Sequence, residues 1–262
     1  MFINLWLLYR IMKTIEQIKE MKGKEKIVML TAYDYCFAKI MDNLVDIILV
    51  GDSLGNVVLG YKTTRAVKMQ DMLRAVSAVA RGSRHTMIVA DMPYGADKNA
   101  LKNAQRLLKA GADAVKIEGK VDIVAKLVKA SIPVMAHIGF LPQTEKRFRV
   151  VGKGKEAKRL IKDAIKFEDV GAFAIVLECI PVKVAKVITS KLKIPTIGIG
   201  AGPYCDGQVL VSYDLVGLFT DFKPRFVKRY TNLSEIIKKA IIKFRADVKA
   251  GKFPKKEHSF EK

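Results

Sequence analysis

Lys116 and Glu118 stand two residues apart inside the apolar run Ala114-Val115-Lys116-Ile117-Glu118. In an extended strand, residues i and i+2 leave the same face, so both charges point to one side of a sheet. Burying a charge is costly unless it is paired or bound, and this pair therefore demands a partner. Other apolar runs lead into polar groups at the same end: Asp52 and Ser53 after IILVG, Asp91 after MIVA, His137 within VMAHIGF, and Glu178 after AIVL. Three carboxylates at one mouth, Asp52, Asp91 and Glu118, repel one another unless a cation lies between them. Hard oxygen donors without thiolates select Mg2+ over Zn2+. Lys116, on the same face as Glu118, then serves an anionic ligand held near that metal. His137 reads as a ligand contact, against the alternative of a core histidine bonded to a backbone carbonyl. Glu178, at the end of a very apolar strand, suits general acid/base work. The competing reading of the whole set is a series of separate strand-end ion pairs.

These side chains meet only if the runs carrying them are parallel strands of one sheet. Eight such runs occur, at 27–33, 46–53, 87–93, 114–119, 133–140, 174–179, 195–202 and 215–219. Between them lie amphipathic stretches at 69–82, 99–112 and 156–172, whose apolar residues recur at three and four. Gly111 and Gly171 suit helix C′ positions, and Pro133 and Pro195 open strands, where they do no harm to the ladder. Eight strands alternating with helices favour a (β/α)8 TIM barrel, in which the site is built at the C-terminal ends of the strands. Residues 231–251 read as a terminal helix capped by Asn232 or Ser234. No linker divides the chain, so residues 12–262 read as one barrel domain. The small-residue turn GIGAG at 198–202 lets backbone approach a ligand, and neither GxGxxG nor a Walker sequence occurs.

The 262 residues are long enough to bury a large core, and with 50% hydrophobic and 28% charged residues the chain is neither disordered nor collagenous. A net charge of +21 raises nucleic acid or an acidic membrane as partners. The Lys and Arg residues are scattered on polar faces, without a basic block, which reads as a solvated surface with no nucleic-acid or membrane partner. Cys36, Cys179 and Cys205 form no CxxC pair, so neither a disulfide framework nor a zinc site is expected, and the compartment is a reducing cytoplasm. The apolar residues 1–11 are too short to span a bilayer and lack the features of a signal peptide. They read either as preceding a functional start at Met12 or as an appended helix packing on a neighbour.

The segments TAYDY, DIILVGDSLGNVVLGY, VADMPYG, GADAVKIEG, PVMAHIGFLPQ, AFAIVLECIP and IPTIGIGAGPYCDGQVLV, in this order, resemble the successive signatures of the ketopantoate hydroxymethyltransferase family. The resemblance runs from about residue 12 to residue 254. It implies a (β/α)8 barrel of the phosphoenolpyruvate/pyruvate superfamily, assembled as a homodecamer. It also implies transfer of a one-carbon unit from 5,10-methylenetetrahydrofolate or a related pterin to 3-methyl-2-oxobutanoate through a Mg2+-stabilised enolate, giving 2-dehydropantoate for pantothenate and coenzyme A synthesis. Carried over by motif, Asp52, Asp91 and Glu118 match the Mg2+ positions. Asp52, Ser53, Asp91, Lys116 and His137 match the substrate site, and Glu178 matches the proton acceptor. The chain departs from the family pattern in compact loops after VADMPYG and FLPQ, and in Leu141, where threonine is common.

Overall fold

The computed structural model describes residues 13–145 and 147–260. Residues 1–11, and with them both readings of the N-terminus, lie outside the described residues. The chain divides between Val211 and Ser212 into two compact units.

The first unit is a closed barrel. Its strands are β1 Ile27–Thr31, β2 Ile47–Val50, β3 Met87–Asp91, β4 Ala114–Glu118, β5 Val134–Gly139, β6 Ala174–Glu178, β7 Thr196–Ile199 and β8 Gly207–Leu210. All eight pair in parallel in chain order, and β8 closes on β1 with Ile27 opposite Gly207. The helices of this unit are α1 Ile15–Glu20, α2 Tyr35–Met41, α3 Leu54–Val57, α4 Met69–Gly82, α5 Ala100–Lys109, α6 Val121–Lys129, α7 Glu156–Asp169 and α8 Val182–Lys191.

Seven expected strands fall where the apolar runs are, but the eighth does not. Residues 207–210 form it, whereas Leu215 ends the short helix α9 Ser212–Leu215 of the second unit. The run at 215–219 is turned aside at Gly217, which takes the left-handed φ of +65° that favours glycine. The true β8 hides in the sequence because it opens on glycine and exposes Gln208. A Cβ at Gly207 would stand 2.6 Å from the Ile27 carbonyl oxygen, so the seam between first and last strand closes only around a residue without a side chain.

The barrel interior fixes which residues reach its mouth. Met87 and Val89 of β3, Ala114 of β4, Met135 of β5, and Ala174 and Val176 of β6 pack in one buried cluster. Continuing each strand in steps of two brings Asp91, Lys116, Glu118, His137 and Glu178 to the same inner side. Full burial of an aliphatic side chain of this kind contributes about 1.5–3 kcal/mol, and that energy holds the register. At the opposite end, Ile18 of α1 is fully buried in the same cluster, with Met21 beside it. Thr14 and Gln17 start α1 with a reciprocal capping box, the Thr14 hydroxyl accepting from Gln17 N at 3.2 Å and the Gln17 side chain accepting from Thr14 N at 2.8 Å.

The expected glycine caps are present, with φ of +114° at Gly111 and +92° at Gly171. In the second unit, α10 Leu233–Lys249 follows Asn232, whose side-chain oxygen accepts from the Ser234 hydroxyl at 2.8 Å rather than from the helix backbone. Among the described residues, no helix is long and apolar enough to cross a membrane.

Candidate functional site

The inward parity of β3 to β6 brings five of the seven predicted residues into one chain of contacts. Asp91 and Lys116 are direct neighbours across the β3–β4 ladder, and Glu118 faces His137 across β4–β5. Lys116 Nζ lies 3.0 Å from Asp91 Oδ1. His137 Nδ1 lies 3.4 Å from Glu118 Oε1, and its Nε2 lies 3.2 Å from Glu178 Oε2. Nδ1 is also 3.4 Å from Lys116 Nζ. A protonated ring directs Nδ1–H toward Glu118, which makes its approach to Lys116 a contact of like charges.

Asp52 and Ser53 join from the turn after β2. The Asp52 backbone N–H donates to Asp91 Oδ2 at 3.0 Å, tying that turn to the end of β3. Ser53 precedes α3 without capping it, and its hydroxyl instead shares a 2.8 Å hydrogen bond with the Tyr33 hydroxyl. Asp52, Asp91, Lys116, Glu118 and His137 are buried, while Glu178 stands at the edge with its side chain 17% exposed.

Two further residues complete the cluster. Gln143, in the loop after β5, donates from Nε2 to Asp52 Oδ2 at 2.8 Å and to the Met92 carbonyl at 3.0 Å. Its backbone N–H donates to Glu118 Oε2 at 3.2 Å. Tyr33 is the second, through Ser53. One is an amide and the other a phenol, and a search of strand ends for carboxylates, lysine and histidine passes over both. Their signal lay in position: Tyr33 follows β1 and Gln143 follows β5 on the barrel face where the charges gather.

Backbone conformation places Glu178. Cys179, the next residue, has the left-handed φ of +50°, and Gly139, opposite Glu178 in the ladder, has φ of +102°. A Cβ on Gly139 would come within 2.1 Å of the Glu178 carbonyl oxygen, so only glycine allows β5 and β6 to end this close together.

The electrostatics follow from burial and crowding. Burial first, then the charges of Asp91 and Glu118, push the Asp52 carboxyl well above its usual range, against the pull of Lys116 and Gln143. Burial works against the charge of Lys116, yet Asp91, Glu118 and Asp52 outweigh it and hold the ammonium more firmly protonated than in water. Burial and the Lys116 charge oppose protonation of His137, but Glu118 and Glu178 prevail and raise it to about 9. Glu118 is lowered despite its burial, chiefly through His137 and then Lys116.

A divalent cation fits this arrangement. Asp91 Oδ1 is buried with no hydrogen-bond donor, its approach to Lys116 being an ion pair outside hydrogen-bonding geometry. Asp52 resists ionisation because of its burial and then its acidic neighbours, and a cation would relieve the repulsion. Among the described residues, no group of three or more His, Cys, Asp or Glu side chains closes up far enough to hold a metal by itself. Mg2+ does not require such a cage, since it commonly keeps several waters and uses one or two carboxylates together with substrate oxygens.

Comparison with known proteins agrees with the order of motifs. The family profile described as ketopantoate hydroxymethyltransferase matches residues 12–256. The 3-methyl-2-oxobutanoate hydroxymethyltransferase of Caldicellulosiruptor saccharolyticus is 55% identical over 254 residues, covering 92% of this chain and 96% of that protein. The enzyme of the same name from Thermotoga maritima is 54% identical over 258 residues, covering 94% and 96%. Among solved structures, 2,3-dimethylmalate lyase, a member of the PEP mutase/isocitrate lyase superfamily, superposes with a TM-score of 0.62 at 15% identity over 89% of this chain and 88% of that one. That last likeness is one of fold.

Proposed function

The chain belongs to the ketopantoate hydroxymethyltransferase family, and from that premise we propose that it converts 3-methyl-2-oxobutanoate, 5,10-methylenetetrahydrofolate and water into 2-dehydropantoate and tetrahydrofolate. The observation that carries the reading is the contact chain Asp91–Lys116–His137–Glu178, which puts an anion-binding cation and a candidate base at opposite ends of one buried cluster.

Asp52, Asp91 and Glu118 are the residues that would hold Mg2+. When bound, that ion supplies Lewis-acid polarisation of the keto group. Lys116 attracts the substrate's negative charge, and the Ser53 hydroxyl, steadied by Tyr33, offers a hydrogen bond at the same mouth. As the C3 proton leaves, charge spreads onto the keto oxygen, where Lys116 and protonated His137 are placed to stabilise it. Glu178 receives the proton. Its contact with His137 Nε2 fixes the carboxylate at the edge of the cluster, beside the incoming carbon. The C3 carbanion equivalent then forms a carbon–carbon bond to the one-carbon unit, both carbon–nitrogen bonds from that unit to the pterin break, water supplies the new hydroxyl oxygen, and the C3 proton with the two protons of water ends on that hydroxyl and on the two nitrogens of the departing tetrahydrofolate. Pantothenate synthesis in the cytoplasm by a homo-oligomer, a decamer in the family pattern, completes this reading; the absence of a pairing pattern among its three free cysteines supports a reducing compartment.

The test is exchange of the substrate's C3 proton in deuterated water without any pterin. Exchange that requires Mg2+ and stops with excess chelator is the expected result. Absence of exchange both without and with the pterin donor would remove the proposal.

A further inference from the structure

The chemistry above gives Gln143 no part, yet this buried residue commits all of its N–H groups to the cluster. The side-chain amide donates to Asp52 Oδ2 at 2.8 Å and to the Met92 carbonyl at 3.0 Å, and the backbone N–H donates to Glu118 Oε2 at 3.2 Å. One loop residue thus reaches groups at the ends of β2, β3 and β4, and it takes one oxygen from each of two carboxylates.

The loop is braced so that Gln143 stays there. Thr144 N and Glu145 N both donate to the Leu141 carbonyl, at 3.0 and 2.9 Å, closing a turn around Gln143. Arg65, between α3 and α4, donates from Nη2 to the carbonyls of Thr144 at 3.1 Å and Glu145 at 2.9 Å. On the other side Leu141 packs over Gly119, the residue after Glu118. A Cβ added to Gly119 would stand 2.6 Å from Leu141 Cδ1, and its φ is the left-handed +62°. Leucine at 141, where threonine is common in the family, gives the loop an apolar foot beside the end of β4.

A carboxylate can turn either oxygen toward a cation, and outer partners of metal ligands fix that choice before the ion arrives. The kind of donor matters. An ammonium in place of the amide would cancel part of the negative charge that attracts the cation, and a carboxylate would add repulsion to a mouth already crowded with acids. A neutral amide orients Asp52 without altering the charge.

We infer that Gln143 is a positioning residue that presets Asp52 and Glu118 for Mg2+, a deduction that rests on the function proposed above. Asp52 is held by the side chain and Glu118 by the backbone, so replacing the side chain frees Asp52 while the bond to Glu118 stays.

The test is calorimetric titration of the protein with Mg2+ alone, beside C3-proton exchange followed across a range of Mg2+ concentrations. Gln143→Met, similar in length but without side-chain N–H donors, should weaken Mg2+ binding by about 10–100-fold, the range typical of losing a partner of a metal ligand. The Mg2+ concentration that gives half-maximal exchange should rise by the same factor. The maximal rate should fall by a much smaller one, because added ion makes up for a ligand that is poorly oriented. Gln143→Asn keeps the amide but shortens its reach, and it should weaken Mg2+ binding in the same direction. Unchanged Mg2+ affinity in a folded variant, a maximal rate that falls as far as the affinity does, or failure of both variants to fold would each overturn the inference. Mg2+-dependent exchange by the unsubstituted protein together with an unchanged Gln143→Met would leave the proposed function standing and remove only the role of Gln143. No Mg2+ binding by the unsubstituted protein would remove the metal reading and this inference with it.

Discussion

His137 Nε2 lies 3.2 Å from Glu178 Oε2, and this contact joins the buried end of the cluster to its open edge. A base must be free to take a proton yet held at a fixed place, and Glu178 meets both needs by touching the imidazole while remaining partly open. Glu178→Gln keeps the shape and removes the basicity. It should lower the rate of C3-proton exchange by about 10²–10⁴-fold, the usual range for a general base, with keto-acid affinity changed little. Titration calorimetry beside the exchange assay separates the two, and a loss of binding equal to the loss of rate would take the base role from Glu178.

The ion pair of Lys116 and Asp91 is buried on both sides. Lys116→Met takes from Asp91 the ammonium 3.0 Å away and removes a positive charge that also acts on Asp52 and Glu118. Removing one partner of a buried pair typically costs about 3–5 kcal/mol, and the urea midpoint of the metal-free protein should fall accordingly. An unchanged midpoint would mean that the acids are protonated or hydrated in the folded protein.

For metal binding, the informative substitution is Glu118→Gln. It preserves the approach of the Gln143 backbone N–H while deleting one negative charge from the mouth. Mg2+ affinity, read by calorimetry, should fall by at least about 10–100-fold, the range typical of losing even a supporting partner of a metal ligand. Equal affinity in both proteins would place the metal elsewhere.

A pH dependence is expected far from this mouth. Asp42 Oδ1 accepts from Ser83 Oγ and His85 N, both at 2.9 Å, and from Thr86 N at 3.1 Å; Oδ2 faces His85 Nδ1 at 2.9 Å. Burial tends to raise this carboxyl, but the backbone and side-chain donors outweigh it and hold it well below the usual carboxylate range. A lowered acid stabilises the fold fully above its unfolded value of about 3.9 and loses that contribution as pH falls below it. Asp42→Asn should therefore lower the urea midpoint at pH 7, and the gap to the unsubstituted protein should narrow by pH 3. A gap of constant size would show that geometry rather than charge sets the contribution of Asp42.

How far the sequence carries can be judged residue by residue. Lys116 and Glu118 were legible because two charges on one face of an apolar strand conflict with burial, and Asp91, His137 and Glu178 because each stands near the end of an apolar run. Gln143 was not, since a neutral amide in a loop breaks no rule, and its importance comes from reaching Asp52, 91 residues earlier in the chain. The eighth strand failed for a related reason. Periodic hydrophobicity picks out 215–219, while the closing strand at 207–210 depends on a glycine at its seam, a tertiary demand without local hydrophobic signature. Cys179 at positive φ is likewise invisible until the chain is folded.

Ile18 and Met21, set in place by the capped helix α1, act as a stopper, and among the described residues the barrel opens at the end where its strands finish. Everything that reaches Glu178 enters and departs past the loops that follow the strands. Arrival and departure share one corridor, so a molecule still in the doorway delays its successor. In steady-state terms, a slow-leaving product should inhibit competitively against whichever reactant enters first.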